Sequence, residues 1–251
     1  MKPAANLSLL WQEIDYLDRF EAAAQAGFTA VEILFPYDVP VTATKAACEA
    51  NGLTLVLINA PPLNPAGGER GFAAVPELVD VFRKDILRAF KYAEALGARF
   101  LHVMAGPGQG DAAFETFCRN LIWAANAAPD GLVLTIEPLN PVAMPGYFLN
   151  DYGLAKQVLN TVSMPNLGLQ FDSYHAQMIH GDAARVFETY QPHIVHAQIG
   201  DTPDRGAPGS GDIDFTKLFA VMAGAGYDGW ISGEYNPGPR TQDSLNWMRM
   251  L

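Results

Sequence analysis

Four successive apolar segments in the second half of the sequence each end in a residue whose side chain offers an oxygen atom as a metal ligand. Glu137, Asp172, Gln198 and Glu234 follow one another at intervals of about one strand–helix repeat. Carboxylates that crowd together raise one another's pKa, and a hard divalent cation relieves that repulsion. An all-oxygen set suits Mg²⁺ or Mn²⁺ better than Zn²⁺. The alternative is that these residues cap helices or pair with arginine, but four in succession favour a metal site.

Several other polar residues could serve the same site. His175 lies three residues beyond Asp172, where it could bind a substrate or orient the carboxylate, or simply start a helix as a structural residue. The earlier apolar segments also carry polar side chains, which are Asn6, Glu32, Asn59 and His102.

Two glycine-rich loops each carry an arginine. Arg70 lies in segment 67–71 and Arg205 in segment 204–212. The planar guanidinium matches a carboxylate, so these loops indicate a small anionic substrate such as a keto acid. The alternative for Arg205 is a salt bridge within its own loop, to Asp201 or Asp212.

The segments that must position these residues alternate between short apolar runs and helical patterns. Strands are predicted at 4–10, 30–35, 53–59, 100–104, 132–137, 167–172, 194–198 and 230–234. Helices are predicted at 14–26, 42–50, 79–96, 112–127, 152–162, 182–190, 215–225 and 242–250.

Eight strand–helix units of about 31 residues each predict an α/β fold, a (β/α)₈ or TIM barrel. In that fold the polar residues at strand ends gather around one mouth. A doubly wound open sheet is the alternative, but the first strand is not followed by a nucleotide-binding loop. No linker divides the chain, so one domain is expected over residues 1–251.

Composition excludes several classes of protein. The net charge of −11 argues against nucleic-acid binding, which needs a basic surface. The apolar runs are too short to cross a membrane, the N-terminus lacks a signal-peptide pattern, and two cysteines cannot form a disulfide framework. We therefore expect a cytoplasmic protein with no membrane partner, and homo-oligomerisation stays open.

The sequence also resembles a known family over nearly its whole length. The matching segments, in order, are 6–9, 31–37, 68–71, 136–140, 145–149, 171–175, 196–199 and 229–235. Together they resemble the hydroxypyruvate isomerase family, which belongs to the xylose isomerase-like barrels. The resemblance implies a metal-assisted isomerisation of the aldose–ketose type, most simply of hydroxypyruvate to tartronate semialdehyde. It leaves open a proton transfer through an enediolate or a hydride shift.

The resemblance assigns roles to individual residues. Glu137 and Glu234 match the two acid/base glutamates, and the metal ligands match the four strand-end residues named above. His175 and Arg205 match substrate contacts, and we expect Asn59, Glu69 and Arg70 to join them.

Three departures from the family pattern affect the substrate pocket. Residues 63–65 replace a Gly-Asp-Trp stretch, Ile58 stands where a histidine is common, and the loop after the fourth strand is short. The alternatives are therefore a 2-oxo-tetronate isomerase, a sugar or inositol epimerase, or a dehydratase on the same metal site. A metal-dependent endonuclease and a non-catalytic sugar-acid binding protein are disfavoured by the negative charge and by the two glutamates respectively.

Overall fold

The computed structural model describes residues 1–63 and 70–251. Within these ranges eight parallel strands form a closed barrel in which each strand pairs with the next and β8 pairs with β1. The strands are β1 (Lys2–Asn6), β2 (Ala30–Ile33), β3 (Thr54–Asn59), β4 (Phe100–His102), β5 (Val133–Ile136), β6 (Leu167–Asp172), β7 (Ile194–Ile199) and β8 (Trp230–Gly233). The barrel predicted from the repeats is confirmed.

Helices connect the strands and cover the outside of the barrel. They are α1 (Asp18–Gln25), α2 (Val41–Ala50), α3 (Val79–Leu96), α4 (Gly110–Ala127), α5 (Tyr152–Val162), α6 (Ser173–His180), α7 (Ala183–Tyr190) and α8 (Phe215–Gly224). Shorter 3₁₀ segments lie at Pro36–Asp38, Pro76–Leu78 and Gln191–His193, and a longer one ends the chain at Thr241–Met250. None of the described helices is both long and apolar enough to span a membrane.

Local sequence signals explain where these helices begin and end. Phe82, Ile86 and Phe90 recur at helical spacing on the buried face of α3, and Gly97 ends that helix in the left-handed conformation. Asp151 caps α5 by accepting a hydrogen bond from the Leu154 backbone N–H. The main core lies between the strands and this helical layer, as both faces of a parallel sheet must be covered.

The structure corrects the prediction at the first strand. That strand was expected over residues 4–10 but ends at Asn6, whose carbonyl oxygen accepts hydrogen bonds from the backbone of Leu9 and Leu10. The chain turns there and bends again at Trp11, which has a positive φ of 56°. Apolar residues 7, 9 and 10 therefore belong to a turn, and α1 begins four residues later than predicted, at Asp18.

Two further differences concern helices. The predicted helix at 182–190 is preceded by α6, which the sequence interpretation missed. Asp172 caps α6, and Gly181 at φ 76° separates it from α7. The last segment, predicted as a helix over 242–250, has 3₁₀ geometry.

The strand register brings the polar strand ends to one rim. Asn59 pairs with His102 between β3 and β4, and Asp172 pairs with Gln198 between β6 and β7. Glu137 and Glu234 directly follow β5 and β8. All of these residues therefore lie at the carboxyl end of the barrel, where such barrels place their active sites.

Candidate active site

A cavity of about 140 Å³ opens at the carboxyl rim of the barrel. Six of the residues predicted for the site line it, namely Asn59, Arg70, Glu137, His175, Arg205 and Glu234. The rest of its described wall is Leu34, His102, Met104, Leu139, Ala143, Met144 and Gln170. The predicted Glu69 lies outside the described residues.

Among the residues that the structure describes, Glu137 and Glu234 are the two buried carboxyl groups that face this cavity. Oε1 of Glu137 and Oε2 of Glu234 have no hydrogen-bond partner among the described residues. Burial, reinforced by the charges of Asp172 and Glu234, raises the pKa of Glu137 well above its usual value. Burial also raises the pKa of Glu234 to about 8, against the opposing effect of Arg205. Glu234 is therefore suited to exchange a proton near neutral pH, and Glu137 holds its proton more tightly than an exposed glutamate does.

Arg205 supplies the positive charge between two carboxylates. Its Nη2 atom donates to Oδ2 of Asp172 at 2.6 Å and to Oε1 of Glu234 at 2.5 Å. Its guanidinium also lies 5.3 Å from the ring centre of Tyr174. The alternative of a salt bridge within the loop is not what the structure shows, because Arg205 reaches across to β6 and β8.

Asp201, considered above as a salt-bridge partner of Arg205, instead accepts hydrogen bonds from the backbone of its own loop. Its carboxylate accepts four hydrogen bonds from backbone N–H groups of its own loop, those of Thr202, Gly209, Gly211 and Ile213. Asp201 is 1% exposed. Asp201 therefore organises the loop that carries Arg205. The backbone of Arg205 has an unusual positive φ of 54°, which this loop must hold in place.

His175 is held in one tautomer. Its Nδ1 atom accepts a hydrogen bond from the backbone N–H of Asn140 at 2.9 Å. Burial lowers the pKa of His175 well below its usual value, so the ring is neutral and carries its proton on Nε2. Nε2 lies 3.9 Å from Oδ2 of Asp172. His175 therefore presents an N–H donor at the edge of the cavity.

Ligand atoms of Glu137, Asp172 and His175 lie within 4.8 Å of one another, close enough to share a metal ion. A neutral histidine binds a metal through a nitrogen without a proton. In His175 that nitrogen is Nδ1, which already accepts the Asn140 N–H. The cluster is thus a possible cation site at which the carboxylates are better ligands than the imidazole.

A buried polar network runs from the cavity wall into the barrel, and sequence reasoning missed its central residue, Gln170. The Gln170 Nε2 atom donates to Oε2 of Glu137 at 2.9 Å and to Oε1 of Gln198 at 2.7 Å. Its Oε1 accepts from the Thr135 hydroxyl. Gln170 lies two residues before Asp172, on the same strand face, and this polar residue inside an apolar run was the available signal.

Glu32 anchors the other end of this network. It is fully buried and accepts hydrogen bonds from Asn6, His196 and Gln198. Burial opposes its ionisation, but the hydrogen bonds from His196 and Gln198 outweigh that effect and lower the pKa of Glu32. Gln198, predicted as a metal ligand, thus uses its N–H₂ on Glu32 and its oxygen on Gln170.

A closed parallel barrel with acidic groups at its carboxyl rim is an architecture typical of enzymes. A family model described as the xylose isomerase-like TIM barrel matches residues 20–251. The chain belongs to the xylose isomerase-like TIM barrel family, as the sequence resemblance predicted.

Individual relatives cover almost the whole chain. A 2-oxo-tetronate isomerase from Cupriavidus necator is 45% identical over 98% of this chain and 96% of its own length. The hydroxypyruvate isomerase of Escherichia coli is 38% identical over 98% of this chain and 97% of its own. A crystal structure from Brucella melitensis, described as an AP endonuclease of family 2, superposes with a TM-score of 0.95 at 40% identity, covering 99% and 98% of the two chains.

Proposed function

We propose that this chain is an isomerase of small 2-keto-3-hydroxy acids, which moves the carbonyl group from C2 to C3. Hydroxypyruvate and 2-oxo-tetronate, the substrates in the names of its relatives, both have this arrangement of functional groups. The observation that carries the proposal is the pair of buried carboxyl groups, Glu137 and Glu234, each with one unpartnered oxygen at the same cavity. Such a pair can act as the base that removes a proton from one carbon and the acid that protonates its neighbour.

The cavity offers partners for the rest of the substrate. Arg70 and Arg205 line it and can donate hydrogen bonds to the substrate carboxylate, Arg205 through Nη1, because its Nε and Nη2 atoms already donate to Glu234 and Asp172. The Nε2–H group of His175 can donate to the keto oxygen, where negative charge develops as the C3 proton leaves. With a net charge of −11 the chain is poorly suited to a nucleic-acid phosphate backbone.

The reaction then balances without any added reagent. One glutamate removes the proton from C3, and the electron pair of that C–H bond forms a C2–C3 double bond. The proton of the C3 hydroxyl passes to the oxygen on C2, and the second glutamate protonates C2. The carbonyl is thereby moved to C3, and the two glutamates exchange roles in the reverse direction.

We further propose a divalent cation, Mg²⁺ or Mn²⁺, held by Glu137, Asp172 and Glu234. The donor set fits, because ligand atoms of Glu137 and Asp172 lie within 4.8 Å of each other, and Oε1 of Glu137 and Oε2 of Glu234 have no partner among the described residues. Such a cation would polarise the substrate oxygens. Gln198 would contribute through the remaining lone pair of its amide oxygen, while keeping its bond to Gln170.

The test is an NMR assay of each substrate in D₂O, with chelator-treated protein and with added Mg²⁺ or Mn²⁺. We expect isomer formation with deuterium on the new C–H bond, and a loss of at least about a thousandfold in kcat for Glu137→Gln and for Glu234→Gln. Glu188→Gln, on the exposed side of α7, is the control. Turnover without any deuterium would favour a hydride shift, and epimerised or dehydrated products would assign the site to those reactions instead.

A further inference from the structure

Two buried residues on one side of the cavity are not used by the mechanism above. Asn59 ends β3 and His102 ends β4, and the two are paired in the strand register. Both line the cavity, and they are 4% and 2% exposed. Their side chains therefore belong to the same wall of the site.

Each of them presents a polar atom that lacks a partner. Within residues 1–63 and 70–251, Oδ1 of Asn59 and Nε2 of His102 make no hydrogen bond. The amide nitrogen of Asn59 has only a long contact of 4.0 Å with the sulfur of Met104. Buried polar groups without partners are uncommon, and at a cavity wall they indicate a ligand that completes them.

Oδ1 of Asn59 and Nε2 of His102 are both hydrogen-bond acceptors. His102 Nδ1 lies 3.5 Å from Oε2 of Glu137, so the ring proton belongs on Nδ1, facing the carboxylate. Nε2 of His102 is then a lone pair, like Oδ1 of Asn59. The matching ligand group is a donor without negative charge, and a substrate hydroxyl fits that description.

We propose that Asn59 and His102 form a subsite for the terminal hydroxymethyl group of a four-carbon 2-keto acid. This proposal rests on the proposed function. The carboxylate, keto and hydroxyl groups of hydroxypyruvate are all taken by the arginines, His175 and the glutamates. 2-Oxo-tetronate has these groups and one more, a CH₂OH on C3. The subsite therefore selects 2-oxo-tetronate over hydroxypyruvate.

The first test compares kcat/KM for the two substrates in wild type, Asn59→Leu and His102→Phe. We expect the wild type to prefer 2-oxo-tetronate at least about tenfold, and each variant to reduce this ratio at least about tenfold. Asn120→Leu is a matched control, because Asn120 is also buried with an unpartnered Oδ1 among the described residues but lies on α4, away from the cavity wall. Ratios that stay within about twofold of wild type in both site variants would overturn the subsite.

A binding measurement separates this proposal from the proposed function. By calorimetry, we expect wild type to bind threonate, a four-carbon sugar acid, more tightly than glycerate, its three-carbon counterpart. Asn59→Leu should abolish the difference. If neither keto acid is isomerised but the binding difference holds and depends on Asn59, the reaction is wrong and the subsite stands. Equal binding of the two acids by the wild type would refute the subsite whatever the turnover.

Discussion

The guanidinium of Arg205 lies 2.6 Å from the carboxylate of Asp172, joining the loop after β7 to the end of β6. Arg205 also contacts Glu234, so one cation serves two acidic residues of the rim. Burial raises the pKa of Asp172, and Arg205 opposes that rise. The position of this guanidinium therefore controls both the charge of the site and a place where the substrate carboxylate can bind.

Asp201→Asn tests how that position is maintained. The change replaces a carboxylate oxygen that accepts two backbone N–H groups with an amide N–H₂, which cannot accept them. We expect a loss of about 1–3 kcal/mol in unfolding free energy and a rise in KM, because the loop no longer fixes Arg205. Urea unfolding and steady-state kinetics measure the two effects. Asp204→Asn, an exposed change in the same loop, should alter neither the unfolding free energy nor KM.

Gln170→Met tests the network under the catalytic glutamates. Glu137 would lose the hydrogen bond to Oε2 that directs its other oxygen into the cavity. We expect kcat to fall by about 10- to 100-fold with KM changed less than about threefold, because Arg70, His175 and Arg205 keep their places for the substrate while the base is misplaced. Gln157→Met on exposed α5 surface is the control. A rise in KM at unchanged kcat would contradict a positioning role.

The acid stability of the protein should depend on His102. Burial lowers the pKa of His102 from 6.5 to about 3. Below pH 6.5 the unfolded chain therefore gains a proton there that the folded protein does not, and stability falls as the pH falls. Relative to His102→Gln, wild type should lose about 1.4 kcal/mol per pH unit below 6.5. Urea titrations at pH 7, 6 and 5 measure this, and parallel curves for the two proteins would contradict it.

Cation binding can be tested without turnover. A divalent ion that binds the folded state at 100 times its Kd adds about 2.7 kcal/mol of stability. We expect Mn²⁺ or Mg²⁺ to raise the Tm of chelator-treated wild type, and Asp172→Asn to lose most of that shift. Asp212→Asn, exposed in the loop after β7, should keep it. An unchanged Tm at millimolar ion would exclude the proposed cation site.

The sequence predicted the fold correctly where burial of apolar residues alone decides the structure. The barrel followed from eight apolar segments at regular spacing, because a buried parallel sheet leaves continuous apolar runs. The position of α6 was missed because Asp172 serves both as a strand end and as a helix cap. The partners of Arg205 could not be predicted, since a sequence does not show which of several acidic residues a flexible side chain will reach.

The partners of Glu32 come from both ends of the chain. Asn6 lies on the first strand, whereas His196 and Gln198 lie on the seventh, so this carboxylate is satisfied only when early and late segments have met. A nascent chain that stops before β7 would bury an ionised group without two of its three donors. Hydrogen exchange should accordingly release β2 and β7 in a single opening event. The interior carboxylate thus couples the first and seventh strands energetically, although they are not neighbours in the barrel.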